Sequence, residues 1–85
     1  MYNLLLTKQA EKDTVLLERV NLKAKAIELL RVIRQNPFQN PPPYEKLKGY
    51  ENVYSRRINR QHRLIYQIFS EQKIIKIIRM WTHYE

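Results

Sequence analysis

Three stretches decide how this 85-residue sequence is read: Val53-Tyr54-Ser55-Arg56-Arg57-Ile58, His62-Arg63-Leu64-Ile65-Tyr66-Gln67-Ile68-Phe69 and Lys73-Ile74-Ile75-Lys76-Ile77-Ile78-Arg79-Met80-Trp81. Each is dense in side chains that pack well on a pleated surface, and each predicts a strand. The triplets between them, Asn59-Arg60-Gln61 and Ser70-Glu71-Gln72, are short enough for hairpins, so the three strands are expected to run antiparallel. The last carries isoleucine on both faces (Ile74, Ile75, Ile77, Ile78), which predicts an interior strand covered on both sides.

Upstream, Pro41-Pro42-Pro43 forces an extended connector that cannot join a central strand, and residues 44–49 read as a loop feeding the first hairpin. Pro37 disfavours helical geometry at Asn36, so a helix must end there. That helix spans 22–35, where Leu22, Ala26, Leu29, Leu30 and Ile33 recur at helical spacing, with Asn21 as its expected N-cap. A shorter helix over 9–20 shows Leu16, Leu17 and Val20 as its apolar stripe. Residues 2–6 read as a strand before a polar break at Thr7-Lys8-Gln9. The expected fold class is α+β: an N-terminal strand, two helices, then a mostly antiparallel sheet, in a single domain over 1–85.

Composition narrows the function. Without cysteine there are no disulfides, thiol chemistry or cysteine-held zinc, and the usage fits a reducing cytoplasm. No signal peptide or membrane-spanning run is evident, so a soluble cytoplasmic protein without membrane association is expected. Sixteen Lys and Arg against eight Asp and Glu give a net charge of +8, which concentrates polyanions, above all nucleic acid. The excess leans toward the C-terminal half: residues 45–85 hold nine basic and four acidic side chains.

A hairpin turning tightly around Arg60 would set Arg57 and Arg63 nearly opposite each other on one face. Like charges so placed destabilise a sheet, unless an anion comes between them. His83, just past the last strand, belongs at the same sheet edge as Arg63, and the loop before the hairpin could bring Glu45 and Lys48 alongside. RNA carries its own nucleophile, the 2′-hydroxyl. Cleaving it requires a base for that proton, an acid for the departing 5′ oxygen, and cations at the crowded phosphate. Glu45 fits the base, His83 the acid, and Arg63, Arg57 and Lys48 an electrostatic clamp. No carboxylate cluster suggests a metal, so neither metal nor cofactor is expected. Taken singly, each residue has an ordinary explanation. A carboxylate such as Glu45 is usually solvated, strand arginines are usually exposed, Tyr66 and Trp81 suit a core, and His62 suits a structural role.

The same residues carry a family likeness. Pro43-Tyr44-Glu45-Lys46-Leu47-Lys48-Gly49, then Tyr54-Ser55-Arg56-Arg57-Ile58 through His62-Arg63-Leu64-Ile65-Tyr66, with the closing His83-Tyr84, resemble the YoeB/Txe family of bacterial type II toxins. The likeness runs along essentially the whole chain. It implies a RelE-like, microbial-RNase-like fold and a ribosome-dependent messenger-RNA endonuclease acting in the decoding site. It implies Glu45 as base, His83 as acid, Arg63 as phosphate and transition-state stabiliser, and Tyr84 at the reaction centre. Lys48 and Arg57, grouped with the neighbouring Arg56, are the expected RNA- and phosphate-binding residues. The implied partners are a cognate YefM/Axe-like antitoxin, the ribosome and messenger RNA, with a homodimer also among the expected assemblies. Gln61 stands where several relatives carry an acidic residue, and Glu85 extends the chain past the usual terminal tyrosine.

Two other functions compete. A non-catalytic RNA- or ribosome-binding module needs cations but no acid–base pair. A RelE-like toxin directed at another protein would not be expected to keep the Glu, Arg and His-Tyr set.

Overall fold

The structure, a computed structural model, describes residues 1–81. In chain order it contains β1 (Asn3–Leu6), α1 (Lys8–Arg19), α2 (Lys23–Gln35), β2 (Tyr44–Lys46), β3 (Val53–Arg57), β4 (Arg63–Phe69) and β5 (Ile74–Arg79). The five strands form one sheet in the order β1-β5-β4-β3-β2, antiparallel throughout except where β1 runs parallel to β5. This is the α+β arrangement expected from the sequence, with one strand added. Tyr44–Lys46, read as loop, pairs antiparallel with β3 as an edge strand. Three residues directly after three prolines carry too little pattern to reveal a strand.

Helix α1 starts where Thr7 can cap it. The Thr7 hydroxyl accepts the Ala10 N–H at 3.0 Å and donates to the Ile78 carbonyl at 2.8 Å, tying the helix start to β5. Its buried face is Ala10, Asp13 and Leu17; Val20, expected in the stripe, is exposed, and Leu16 is half-buried. The true stripe was hidden because it consists of a small residue, a carboxylate and one leucine. Asn21 does not cap α2. It closes α1 in the left-handed region (φ 61°), where an asparagine costs less than most residues. The Asn21 N–H meets the Glu18 carbonyl at 3.2 Å, and the Leu22 N–H meets the Leu17 carbonyl at 2.9 Å. Helix α2 buries Ala26, Leu29 and Ile33, three of the five positions its spacing predicted, while Leu22 and Leu30 are half-buried.

The helices cover one face of the sheet, where Leu17 and Ile33 join Leu64, Tyr66, Ile68, Ile75 and Ile77 in the core. Burying each such side chain stabilises the fold by roughly 1.5–3 kcal/mol. β5 is interior, as expected, but it is not fully covered on both sides: Ile75 and Ile77 are buried, Ile74 and Ile78 only half-buried, and Lys76 is exposed. Between β4 and β5 the register slips by one residue. Tyr66 faces Ile77, Ile65 faces Arg79, and Ile78 is extra. Such a bulge bends a strand locally, and here it lies beside the face that carries the charged groups.

Candidate functional site

Strand alternation sorts the arginines of β3. Successive side chains point to opposite faces, so Ser55 and Arg57 share the open face while Tyr54 and Arg56 turn toward the helices. The hairpin to β4 is closed by Asn59, whose side-chain oxygen accepts the N–H groups of Gln61 at 2.8 Å and His62 at 2.7 Å. That turn sets the register in which Arg57 stands directly opposite Arg63. On the other side of β3, Glu45 of β2 stands opposite Ser55.

These pairings bring Glu45, Ser55, Arg57 and Arg63 into one open cavity of about 350 Å³, with Pro43 and Tyr44 completing its wall. Arg63 is the centre of the group. Its Nη1 donates to the Ser55 hydroxyl at 3.2 Å and lies 3.9 Å from the Glu45 carboxylate. The Arg63 side chain is only 22% exposed, whereas that of Glu45 is 66% exposed. A half-buried guanidinium held by a hydroxyl is oriented before any ligand arrives, and the exposed carboxylate beside it is free to meet one. With two guanidinium groups and one carboxylate, the cavity favours a singly charged anion such as a phosphodiester.

The expected site residues therefore separate. Glu45, Arg57 and Arg63 come together. Lys48 is exposed in the turn after β2 and is not part of the cavity wall. His83 and Tyr84 lie outside the described residues. The expectation that Arg56 binds phosphate fails: it is 1% exposed, and its guanidinium donates to the Pro37, Gln39 and Pro42 carbonyls and the Tyr66 hydroxyl. Its place in the alternation was the available signal, since it is one residue out of phase with Arg57. Ser55 was not singled out, although the same alternation puts it two residues from Arg57 on the same face.

Two of the aromatic residues belong to the packing: Tyr66 lies in the core and Trp81 packs against it. Tyr66 is fully buried; burial raises the pKa of its phenol, only partly offset by Arg56, so it remains protonated and donates to the Pro37 carbonyl at 3.1 Å. His62 is buried and stacks on Trp81 with ring centres 4.0 Å apart, in keeping with a structural role. A second cavity of about 370 Å³ lies beside that pair, lined by Val20, Leu22, Asn59 and Gln61.

A buried carboxylate holds the approach to the tail. Asp13 of α1 accepts the Arg79 Nε at 3.0 Å, the Met80 N–H at 2.9 Å and the Trp81 N–H at 3.2 Å. Burial alone would raise its pKa, but the Met80 N–H, Arg79 and Gln9 together hold the carboxyl below its ordinary range. Among the described residues, no three His, Cys, Asp or Glu side chains gather as a metal-binding group. None of their helices is long and apolar enough to cross a membrane.

Residues 6–84 match the family described as YoeB-like toxin of bacterial type II toxin-antitoxin system. A relative from Synechocystis, Toxin YoeB, is 37% identical over 76 residues, covering 88% of this chain and 79% of its own. The YoeB/ParE toxin from Agrobacterium tumefaciens superposes with a TM-score of 0.86 at 27% identity, over 96% of this chain and 99% of that one. YoeB from Staphylococcus aureus is 33% identical. As a dimer it superposes at TM-score 0.83 over 98% of each chain, and in a heterotetrameric YoeB-YefM toxin-antitoxin complex at 0.80 over 99% of each.

Proposed function

The chain belongs to the YoeB-like toxins of bacterial type II toxin–antitoxin systems, and from that premise we propose that it is a metal-independent endoribonuclease that cleaves messenger RNA on the ribosome and so inhibits translation. The supporting observation is the Glu45 carboxylate 3.9 Å from the Arg63 guanidinium, in a cavity that also holds Arg57. Binding alone would require only the cations.

In this mechanism Glu45 takes the proton of a 2′-hydroxyl, and the freed oxygen attacks the adjacent phosphorus. Arg63 and Arg57 stabilise the charge that builds on the phosphate oxygens. The bond from phosphorus to the 5′ oxygen breaks, His83 protonates that oxygen, and a 2′,3′-cyclic phosphate and a 5′-hydroxyl result. Tyr84 contacts the reacting group and Lys48 adds positive potential from the neighbouring turn. The cavity is small and open, which suits a domain that leaves the placing of its substrate to the ribosome.

The partners follow from the same surface. The S. aureus relative assembles with YefM. For this chain a YefM-like antitoxin segment, acidic and folding as it binds, would cover Arg57 and Arg63. A homodimer, the other state described for that relative, is proposed for the free toxin. The single domain over 1–85 would act in the cytoplasm, where ribosomes are.

The test is translation with purified ribosomes and a defined message, comparing wild type with Arg63→Ala and His83→Gln. Wild type should cut the message, and loss of Arg63 should slow cutting by about a hundredfold or more. An intact message with folded wild-type protein would refute the nuclease reading. Equal cutting by His83→Gln would displace the assigned acid.

A further inference from the structure

We infer that Arg56 is a positioning residue for the base: it fixes the proline-rich connector that delivers Glu45 to Arg63. The inference rests on the reading of Glu45 given above and assigns a role to a residue that touches no substrate.

Between α2 and β2 the chain has no regular structure to satisfy its carbonyl groups, and Pro37, Pro41, Pro42 and Pro43 contribute no N–H groups of their own. Arg56 supplies the missing donors. Its Nη2 reaches the Pro37 carbonyl at 3.0 Å and the Gln39 carbonyl at 2.8 Å, and its Nη1 donates to the Pro42 carbonyl. Its Nε donates at 3.1 Å to the Tyr66 hydroxyl, which in turn donates to Pro37. One guanidinium thus grips both ends of the connector.

The grip continues to the base. Arg56 is the register partner of Tyr44, and its guanidinium carbon lies 5.1 Å from the Tyr44 ring centre. The next residue is Glu45, on the opposite face of a strand only three residues long. A shift of the connector therefore moves Glu45 directly, whereas Ser55, Arg57 and Arg63 stay on the central hairpin. That shift would open the 3.9 Å approach of carboxylate to guanidinium.

The chemistry of Arg56 argues for this role over plain packing. Among the described residues its hydrogen-bond partners are carbonyls and a phenol, with no carboxylate. Burying a cation without a counter-ion is costly, and an apolar side chain would fill the space at less expense. A planar five-donor group is what several divergent carbonyls require at once. Lysine, a single ammonium on a flexible stem, cannot reproduce it.

The experiment is a double-mutant cycle of Arg56→Lys with Glu45→Gln, read as kcat and KM for ribosome-dependent message cleavage, with a thermal melt of each protein. Arg56→Lys should lower kcat by roughly 10–100-fold with KM changed by less than about twofold, since displacement of a catalytic group acts on the chemical step. In the Glu45→Gln background the same replacement should cost less than about twofold, because the group it positions is already disabled. Two results would overturn the inference while leaving the base assignment intact: folded Arg56→Lys cleaving like wild type, or its full penalty persisting beside Glu45→Gln. Wild-type cleavage by Glu45→Gln alone would instead remove the base assignment, and this inference with it. If Arg56→Lys does not fold, Tyr66→Phe, which deletes only the relaying hydroxyl, runs in the same cycle and should couple to Glu45→Gln with a kcat loss of a few-fold.

Discussion

Asp13 accepts the backbone N–H of Met80 at 2.9 Å, a contact spanning 67 positions of sequence, and Trp81 follows at 3.2 Å on the same oxygen. The first helix thereby holds the last described residues of the chain. Replacing Asp13 with alanine should destabilise the protein by about 3 kcal/mol, since Arg79 and two N–H groups lose their acceptor. Urea unfolding at neutral pH measures this directly.

The same carboxylate makes a prediction about acid. Its pKa in the folded protein is held below the ordinary value of 3.8. A depressed carboxylate contributes stability that is fully present above the unfolded value and is lost as pH falls through the folded one. The stability gap between wild type and Asp13→Asn should therefore be constant from neutral pH to about 5 and shrink below about 4. Unfolding curves at stepped pH would show it, and a gap that widened in acid would contradict it.

Arg57 and Arg63 stand opposite each other across β3 and β4, an arrangement that opposes folding. Arg57→Ala should leave the protein as stable or more stable, by about 0.5 kcal/mol, and the gain should fade with added salt. Message cleavage should fall in the same variant. Melting temperatures at two salt concentrations, set beside cleavage rates, test the opposition.

Ser55→Ala removes the hydroxyl that accepts Arg63 at 3.2 Å. The cost in stability should be about 1 kcal/mol. Cleavage should drop by roughly tenfold, as expected when a transition-state donor loses its orientation but keeps its charge. Single-turnover rates on programmed ribosomes provide the measurement.

Glu45→Gln tests the base without disturbing the fold. Its side chain is largely exposed, and its 3.9 Å ion pair with Arg63 contributes under about 1 kcal/mol. Cleavage should fall by roughly 10²–10⁴-fold while the melting temperature hardly moves. A variant that cuts at the wild-type rate would assign the base elsewhere.

Much of this architecture is readable from local pattern. The β-rich stretches around Tyr54, Tyr66 and Ile77 announce strands, and two short polar triplets announce hairpins. A tight turn at Asn59 is enough to place Arg57 against Arg63, because pairing in a hairpin is set by the turn. Alternation by itself separates Ser55 and Arg57 from Arg56. The helix of residues 23–35 shows its buried face at a spacing that no strand shares.

What tertiary structure alone decided are the contacts without a local period. Nothing near Tyr44 states that three residues will pair with β3, nothing near Leu4 that β1 will run parallel to β5, and nothing near Asp13 that its partner is Met80. Local pattern reports which face of an element seeks burial, because that depends on side-chain spacing. It does not report which distant backbone or charge will satisfy a buried polar group, because that depends on where the rest of the chain comes to lie. Arg56 illustrates the difference: one residue from Arg57 in sequence and equal to it in charge, it is committed to the connector by packing.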